Sequence, residues 1–246
     1  MIKVLVIGEK CVDKFLYCET NRLSPEAPVP VLNILSTTQN KGMAGNTSSN
    51  VYAVEPNAVV SEIHQLNIIT KTRYVEQKSN HMFVRVDEGE DDIDCLKWSG
   101  DLKNQIINSD IVIVSDYDKG FLSNYDIEMI GKLSKLSILD SKRILTNDII
   151  KPFNFIKLNE SEFNNNHNLN HKGIIVTLGS KGALYNNKTY PSPLPQDTID
   201  VSGAGDTFTA SFIIKYFKSS SIQDSIEFAN KKSSEVVSRR GVVVPF

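Results

Sequence analysis

Asp197-Thr198-Ile199-Asp200-Val201-Ser202-Gly203-Ala204-Gly205-Asp206-Thr207-Phe208-Thr209-Ala210 is the stretch from which the rest of this 246-residue chain is read. Gly203 and Gly205 free the backbone to turn tightly and to bring amides close to a ligand. Residues 207–217 (TFTASFIIKYF) then read as a buried, largely apolar helix. The helix N-terminus therefore falls at Gly203 to Asp206, where unpaired N–H groups and the positive end of the helix dipole make a site for a phosphate or a developing negative charge. Asp206 beside such an anion hole is either a helix cap or a general base that takes a proton from a hydroxyl attacking the phosphate. The loop alone leaves both open.

A helix of this kind needs a sheet to pack on, and 246 residues suffice for one large α/β domain, with or without a small appendage. Lys and Arg number 27 against 29 Asp and Glu, net −2, with no long run of either sign, so nothing supports binding to nucleic acid or an anionic membrane. A small molecule is the expected partner. Cys11, Cys18 and Cys95 are an odd number without metal-ligand spacing and read as reduced thiols of a cytoplasmic protein. The apolar run within residues 1–8 is too short for a signal peptide or a membrane span, and no later stretch approaches about 18 apolar residues.

Residues 4–7 followed by Gly8 read as a buried parallel strand, and ligands gather at the C-terminal ends of such strands. Asp13 falls just past that end; position alone favours a solvated loop carboxylate over a ligand contact. Three prolines in NRLSPEAPVP (21–30) exclude a helix and leave edge strands on either side. IITKTRYVEQ and HMFVRVD, flanking Lys78-Ser79-Asn80, read as a hairpin. These two polar-faced β units suggest a small sheet outside the main core, able to close over a site or to pair with a second subunit. Between them, Asn40-Lys41-Gly42-Met43-Ala44-Gly45-Asn46 precedes a helix at 47–54; Asn46 either caps it or offers a donor and an acceptor to a polyhydroxylated ligand.

After an acidic segment at 87–94, read as solvated surface, strands and helices alternate. Strands at 111–114, 136–139, 155–158 and 174–178 end in SDYDKG, DSK, NESE and GSKG, and a helix is expected over 124–136. Residues 183–185 begin an antiparallel hairpin, and the Asn-rich 164–171 is a surface connection. The alternation implies a parallel sheet covered on both faces, with right-handed crossovers setting every polar strand end on one rim. That rim would hold the anion hole, Asp206, an Asn159/Glu162 pair able to order hydrated Mg²⁺, and a second glycine loop. Such a set specifies phosphoryl transfer and makes a base the better reading of Asp206. No G-x-x-x-x-G-K-[ST] occurs, and no complete G-x-G-x-x-G follows the first strand, which disfavours P-loop and dinucleotide folds.

The segment DTIDVSGAGDTFTASF resembles the signature of the ribokinase-like (PfkB) carbohydrate kinases, and KLNESEF and VTLGSKGALY resemble that family's nucleotide-side motifs. GEKCVDKFLYCETNRLSPEAPVPVLNI, TKTRYVEQKSNHMFVRVDE and VSDYDKGFLS are similar to stretches of the bacterial heptose 7-phosphate kinases, which make the 1,7-bisphosphate on the route to ADP-heptose for lipopolysaccharide. The resemblance implies a ribokinase-like α/β fold, mainly parallel and covered by helices on both faces, with a small β-sheet lid. Residues 1–12, 38–66 and 92–246 would form the α/β domain, and 13–37 and 67–91 the lid.

The resemblance further implies ATP, Mg²⁺ and possible K⁺ as cofactors. Asp206 would be the base, Gly203, Ala204 and Gly205 the anion hole, and Asn159 and Glu162 the organisers of Mg²⁺ and phosphates through water. Thr177 and Gly179 would lie near the nucleotide, and Asn230 would border adenine. Asp13, Gly42 and Asn46 would hold the sugar, with Arg85 or Lys119 facing its phosphate. Asp200 and Ser202 would bind the monovalent cation, with partners near Arg239-Arg240-Gly241. A homodimer through the lid is expected.

Departures from the family pattern qualify the expectation. The sugar-side motif usually has two adjacent glycines, whereas Met43 and Ala44 follow Gly42 here. Relatives carry further β/α units where this chain has only residues 55–67, and Arg239-Arg240 replace small residues. Relatives are often fused to a nucleotidyltransferase domain, for which no segment is seen. The expected activity is ATP-dependent phosphorylation of the anomeric hydroxyl of heptose 7-phosphate. The alternatives are a PfkB-type kinase for another sugar or a nucleoside, and a non-catalytic nucleotide-binding homologue shortened on the sugar side.

Overall fold

The β-branched run near the start of the chain becomes β1 (Lys3–Gly8), with Val4 and Val6 buried in one hydrophobic cluster and Leu5 and Ile7 in the other. A strand covered on both faces belongs inside a parallel sheet, and parallel strands pair with β1 on either side. The computed structural model describes residues 1–193, 203–238 and 244–245. From β1 the chain runs through β2 (Lys10–Leu23), β3 (Pro30–Met43), α1 (Ala44–Val54), β4 (Val59–Ile63), β5 (Ile69–Glu76) and β6 (Met82–Glu88). Then follow α2 (Gly100–Asn108), β7 (Ile111–Asp116), α3 (Asn124–Leu133), β8 (Ser137–Ser141), α4 (Asn147–Ile150), β9 (Phe155–Asn159), α5 (Glu160–Asn165) and β10 (Ile174–Thr177). The hairpin β11 (Ala183–Tyr185) and β12 (Lys188–Tyr190) precedes α6 (Ala204–Ser219) and α7 (Ile222–Val237).

The larger sheet has the order β12-β11-β10-β9-β8-β7-β1-β4, parallel except at the terminal hairpin. Residues of α1, α6 and α7 share one core cluster with Val4 and Val6; residues of α2, α3 and α4 share the other with Leu5 and Ile7. Crossovers of one hand put the C-terminal ends of β7, β8 and β9 side by side, which gathers their polar loops on a single rim.

The smaller sheet has the order β3-β2-β5-β6 and is the lid. Its strands overrun the expected bounds: β2 starts at Lys10 and β3 ends at Met43, because their antiparallel pairing runs unbroken from Lys10 opposite Met43 to Tyr17 opposite Ser36. Asp13 therefore lies within a strand and is buried, not in a solvated loop. The acidic segment is also more than solvated surface, since Glu90 pairs with Lys71 at 2.9 Å and with Lys119 at 2.6 Å. In the Asn-rich connection, Asn166 is buried, accepting from the Leu145 amide and donating to the Glu162 carbonyl.

Candidate active site

The helices differ in how their first turns are satisfied. α2, α3 and α7 begin at Ser99, Ser123 and Ser221, whose hydroxyls accept from a first-turn amide. α1 and α6 begin at Met43 and Gly203 with no side-chain cap, so their leading amides are left for other partners. Both N-termini open on one cavity of about 210 Å³, bordered by Met43, Asn46, Gly203 and Asp206. Gly203 takes φ 81°, which glycine adopts without strain, whereas Met43 takes φ 55°, a costly conformation for a residue with a Cβ. Strain of this kind tends to collect at functional sites.

Asp206 stands in the first turn of α6 but does not cap it, since the capping position belongs to Gly203. Its Oδ2 accepts from Asn46 Nδ2 at 2.7 Å and its Oδ1 from the Tyr117 hydroxyl at 3.1 Å. Asn46 is likewise no cap for α1. Asn50 donates to its Oδ1 at 3.2 Å, which turns the Asn46 amide nitrogen toward Asp206. Burial pushes the Asp206 carboxyl up to about 6, the Asp140 charge adding to this against the Asn46 hydrogen bond and the Lys157 and Lys142 charges. A carboxylate poised near neutrality, at an uncapped helix end, can accept a proton from a bound hydroxyl.

Beneath the first turn of α6 lies a buried ion pair, Lys157 Nζ to Asp140 Oδ2 at 2.9 Å. Gly205 lies directly above it: a Cβ there would come within 2.9 Å of Lys157 Nζ, so a larger residue would push on the ammonium end of this pair. Thr209 of α6 also donates to Asp140, at 3.1 Å. Burial alone would raise the Asp140 pKa, but the Lys142 and Lys157 charges and these hydrogen bonds hold it at about 2. Lys142 reaches Glu162 Oε1 at 2.6 Å and Asp140 Oδ1 at 3.3 Å. Burial opposes its charge, yet the two carboxylates raise it above the usual lysine range.

Asn159 and Glu162 form the capping box of α5: Asn159 Oδ1 accepts from the Glu162 amide at 2.8 Å and Glu162 Oε2 from the Asn159 amide at 2.7 Å. With Oε1 on Lys142, neither carboxylate oxygen is free of a protein donor. Each oxygen can accept a second hydrogen bond, so the pair fits metal-bound waters and not direct ligation. Among the described residues no group of three or more His, Cys, Asp and Glu side chains is placed to hold a metal ion. Thr177 is the register partner of Asn159, and Gly179, at φ 60°, faces open space at the same strand ends. Asn230 departs from expectation. It is buried, with its amide nitrogen bonded to the carbonyls of Tyr190 at 2.9 Å and Pro191 at 3.3 Å, which pins α7 to the end of β12 instead of presenting a side chain to adenine. Asp200, Ser202 and Arg239-Arg240-Gly241 lie outside the described residues.

Across the cavity, Gly42 packs against Asp13 and Cys11; a Cβ would fall on the Asp13 carboxylate and the Cys11 sulfur. Asp13 accepts from Arg73 Nη1, and Arg73 stacks over Phe15 with 5.0 Å to the ring centroid. Lys71, Arg73 and Arg85 all line the cavity, Arg85 forking onto Asp87 at 2.7 and 2.5 Å. Lys119 does not line it, being held by Glu90. Sequence reasoning passed over Arg73 and Lys71, hidden in an ordinary hairpin pattern, and Glu9. Glu9 is wholly buried and accepts from the amides of Tyr117, Lys119 and Phe121, so it fixes the loop that carries Tyr117. A larger cavity of about 380 Å³ lies between the lid strands and residues 64–68, away from Asp206; Cys11 borders both.

Residues 150–246 match the family model of the pfkB family carbohydrate kinases. The fold is that of Arabidopsis thaliana ribokinase, solved with ribose and ATP, at a TM-score of 0.72 and 16% identity over 98% of this chain and 94% of that one. Escherichia coli phosphofructokinase-2, solved with potassium, gives a TM-score of 0.73 at 13% identity over 100% and 96% of the two chains. Residues 150–246 are thus similar to the pfkB family carbohydrate kinases, and the chain as a whole shares the fold of these solved kinases. Among curated proteins it is similar to the bifunctional protein HldE of Helicobacter pylori strain HPAG1, 29% identical over 304 aligned residues, covering 98% of this chain and 64% of that protein. The HldE protein of Haemophilus influenzae is 24% identical, with 97% and 60% covered. The chain therefore spans less than two thirds of the length of these relatives. The Helicobacter alignment is longer than the chain itself, so that relative carries residues inside the matched region that are missing here. Between α1 and β5 this chain has β4 alone.

Proposed function

We propose that this chain is an ATP-dependent kinase acting on the anomeric hydroxyl of a sugar phosphate, converting heptose 7-phosphate to heptose 1,7-bisphosphate. The observation that carries the reading is Asp206: a buried carboxylate with its pKa near 6, at the uncapped N-terminus of α6, facing a cavity that three cations also line. The acceptor hydroxyl gives its proton to Asp206 as its oxygen bonds to the γ-phosphorus. The bond from that phosphorus to the β,γ-bridging oxygen breaks, and ADP leaves. The amides of Gly203, Ala204 and Gly205 meet the charge on the transferred group. Mg²⁺ enters with ATP as part of the substrate, and Asn159 and Glu162 hold its waters.

Lys71, Arg73 and Arg85 support a phosphorylated acceptor, because sugar hydroxyls alone need no such cluster. ADP release measured with heptose 7-phosphate and a panel of free and phosphorylated sugars tests the reading. Arg73→Met should raise KM for the phosphorylated acceptor by about 10- to 100-fold, matching 1.4 to 2.7 kcal/mol for a charge-assisted contact, with KM for ATP unchanged. If no acceptor stimulates ADP release above the Asp206→Asn background, the shortened link before β5 favours a nucleotide-binding protein that has lost its sugar chemistry.

A homodimer through the lid is supported by the exposed apolar side chains Leu23, Ile34, Leu35, Met82, Val84 and Val86 on or beside the open edges β3 and β6. Light scattering should give twice the chain mass of 27.5 kDa. A monomer at every concentration would remove the proposal.

A further inference from the structure

We infer that Lys142 is a catalytic cation that leaves Glu162 to contact the γ-phosphoryl group of the nucleotide. The inference rests on the kinase reading. It starts from how rigidly the turn after β8 is presented. Ser141 Oγ donates to Asp116 at 2.5 Å, and Arg143 donates to the same carboxylate through Nε at 2.6 Å and Nη2 at 2.7 Å. The Lys142 amide donates to the Asp116 carbonyl at 3.0 Å. Both neighbours of Lys142 are thus clamped to one buried aspartate, and the lysine between them projects onto the rim.

Its ammonium hangs between the two halves of the site. On one side is Glu162 of the nucleotide-side motif; on the other is the Tyr117 ring, its centroid 5.6 Å away, whose hydroxyl bonds Asp206. The two rim lysines differ in freedom. Lys157 has 3% of its side chain exposed and is committed to Asp140, whereas Lys142 has 34% exposed and shares two carboxylates with other donors. Glu162 keeps the Asn159 amide, and Asp140 keeps Lys157 and Thr209, when Lys142 turns away. On the nucleotide side of the rim Asp140 and Glu162 stand with these two lysines, and Lys157 is already committed to Asp140, so Lys142 is the ammonium left to answer the charge of an arriving triphosphate. As the bond to the bridging oxygen breaks, charge grows on the phosphoryl oxygens and on ADP, and an ammonium at this place stabilises both.

The test uses the full chain and separates this inference from the choice of acceptor. Titration calorimetry without sugar compares Mg²⁺ with the β,γ-imido analogue of ATP against Mg²⁺ with ADP. Wild type should bind the triphosphate about 10-fold more tightly, Lys142→Met should erase that preference while ADP affinity stays within about 2-fold, and Lys142→Arg should keep much of it. With a working acceptor, Lys142→Met should lower kcat by about 10²- to 10³-fold and change KM for the sugar little. A thermal melt of Lys142→Arg matching wild type separates contact from folding. An equal loss for both nucleotides, or no loss, overturns the inference, as does a Lys142→Met kcat within about 5-fold of wild type. Turnover with no Lys142-dependent preference sinks this inference alone; the preference without turnover sinks the kinase reading alone.

Discussion

Asp206→Asn should lower kcat by about 10²- to 10⁴-fold, the usual contribution of a positioned general base, and at the same time raise thermal stability at pH 8. The two effects have one origin. The folded pKa of about 6 stands above the model carboxylate value of 3.8, so the native state holds the proton more tightly than the unfolded chain. Stability from this group is therefore complete below about pH 4 and is lost as pH rises to about 6. At pH 8 the charged carboxylate costs up to about 3 kcal/mol, two units at 1.36 kcal/mol each. Asparagine removes the charge and keeps the shape. Its oxygen can accept from Asn46, and the Tyr117 hydroxyl can rotate to accept from its amide, so no buried polar group is orphaned. A gain of about 1 to 3 kcal/mol, or a melting temperature higher by about 2 to 10 °C, is expected at pH 8, vanishing near pH 4. Wild-type kcat/KM should rise with pH through an apparent pKa near 6. A variant that is inactive and less stable at pH 8 would make Asp206 a structural residue.

The fold was legible where one physical signal dominated. Runs such as residues 111–114, apolar at every position, can only be strands covered on both faces, and residues 207–217 are too long and too apolar to lie outside the core. α2 escaped because it buries only Leu102 and Ile106, too thin a stripe to mark a helix. The site was legible where a motif is local, as at Gly203 to Asp206. It was hidden where partners meet across the chain. Glu9 holds amides 108 to 112 positions away, and Asp140 joins Lys157 and Thr209 through strand order that no window of sequence displays. Asn159 and Glu162 show how one pattern carries two readings: N-x-x-E is also a capping box, and the helix start it builds is what aims Glu162 at Lys142. Asn230 shows the opposite, a polar residue whose amide nitrogen is spent on backbone carbonyls.

Asp140→Asn should act with the opposite sign on stability. It leaves Lys157, with 3% of its side chain exposed, without its counter-ion, and it takes an acceptor from Thr209 and Lys142. Breaking a buried pair from one side costs about 3 to 5 kcal/mol, so the melting temperature at pH 7 should fall by about 6 to 20 °C. The pH dependence follows from the depressed pKa of about 2, below the model value of 3.8. The Asp140 contribution is present above about pH 4 and is lost as pH falls toward 2, so the variant should differ least from wild type in strong acid. Activity adds a separate signature. Asp140 is a charge that raises Asp206, while Lys157 and Lys142 lower it. Without the Asp140 charge only burial opposes the two lysines at Asp206, and the acid limb of kcat/KM should move below pH 6. Melting curves and pH profiles of the same variant keep the two effects apart: a lower melting temperature with an unmoved acid limb would leave Asp140 a purely structural anchor. A shifted limb would make it the charge that adds to burial in holding Asp206 near neutrality, with the Lys157 pair keeping that charge in place beneath the first turn of α6.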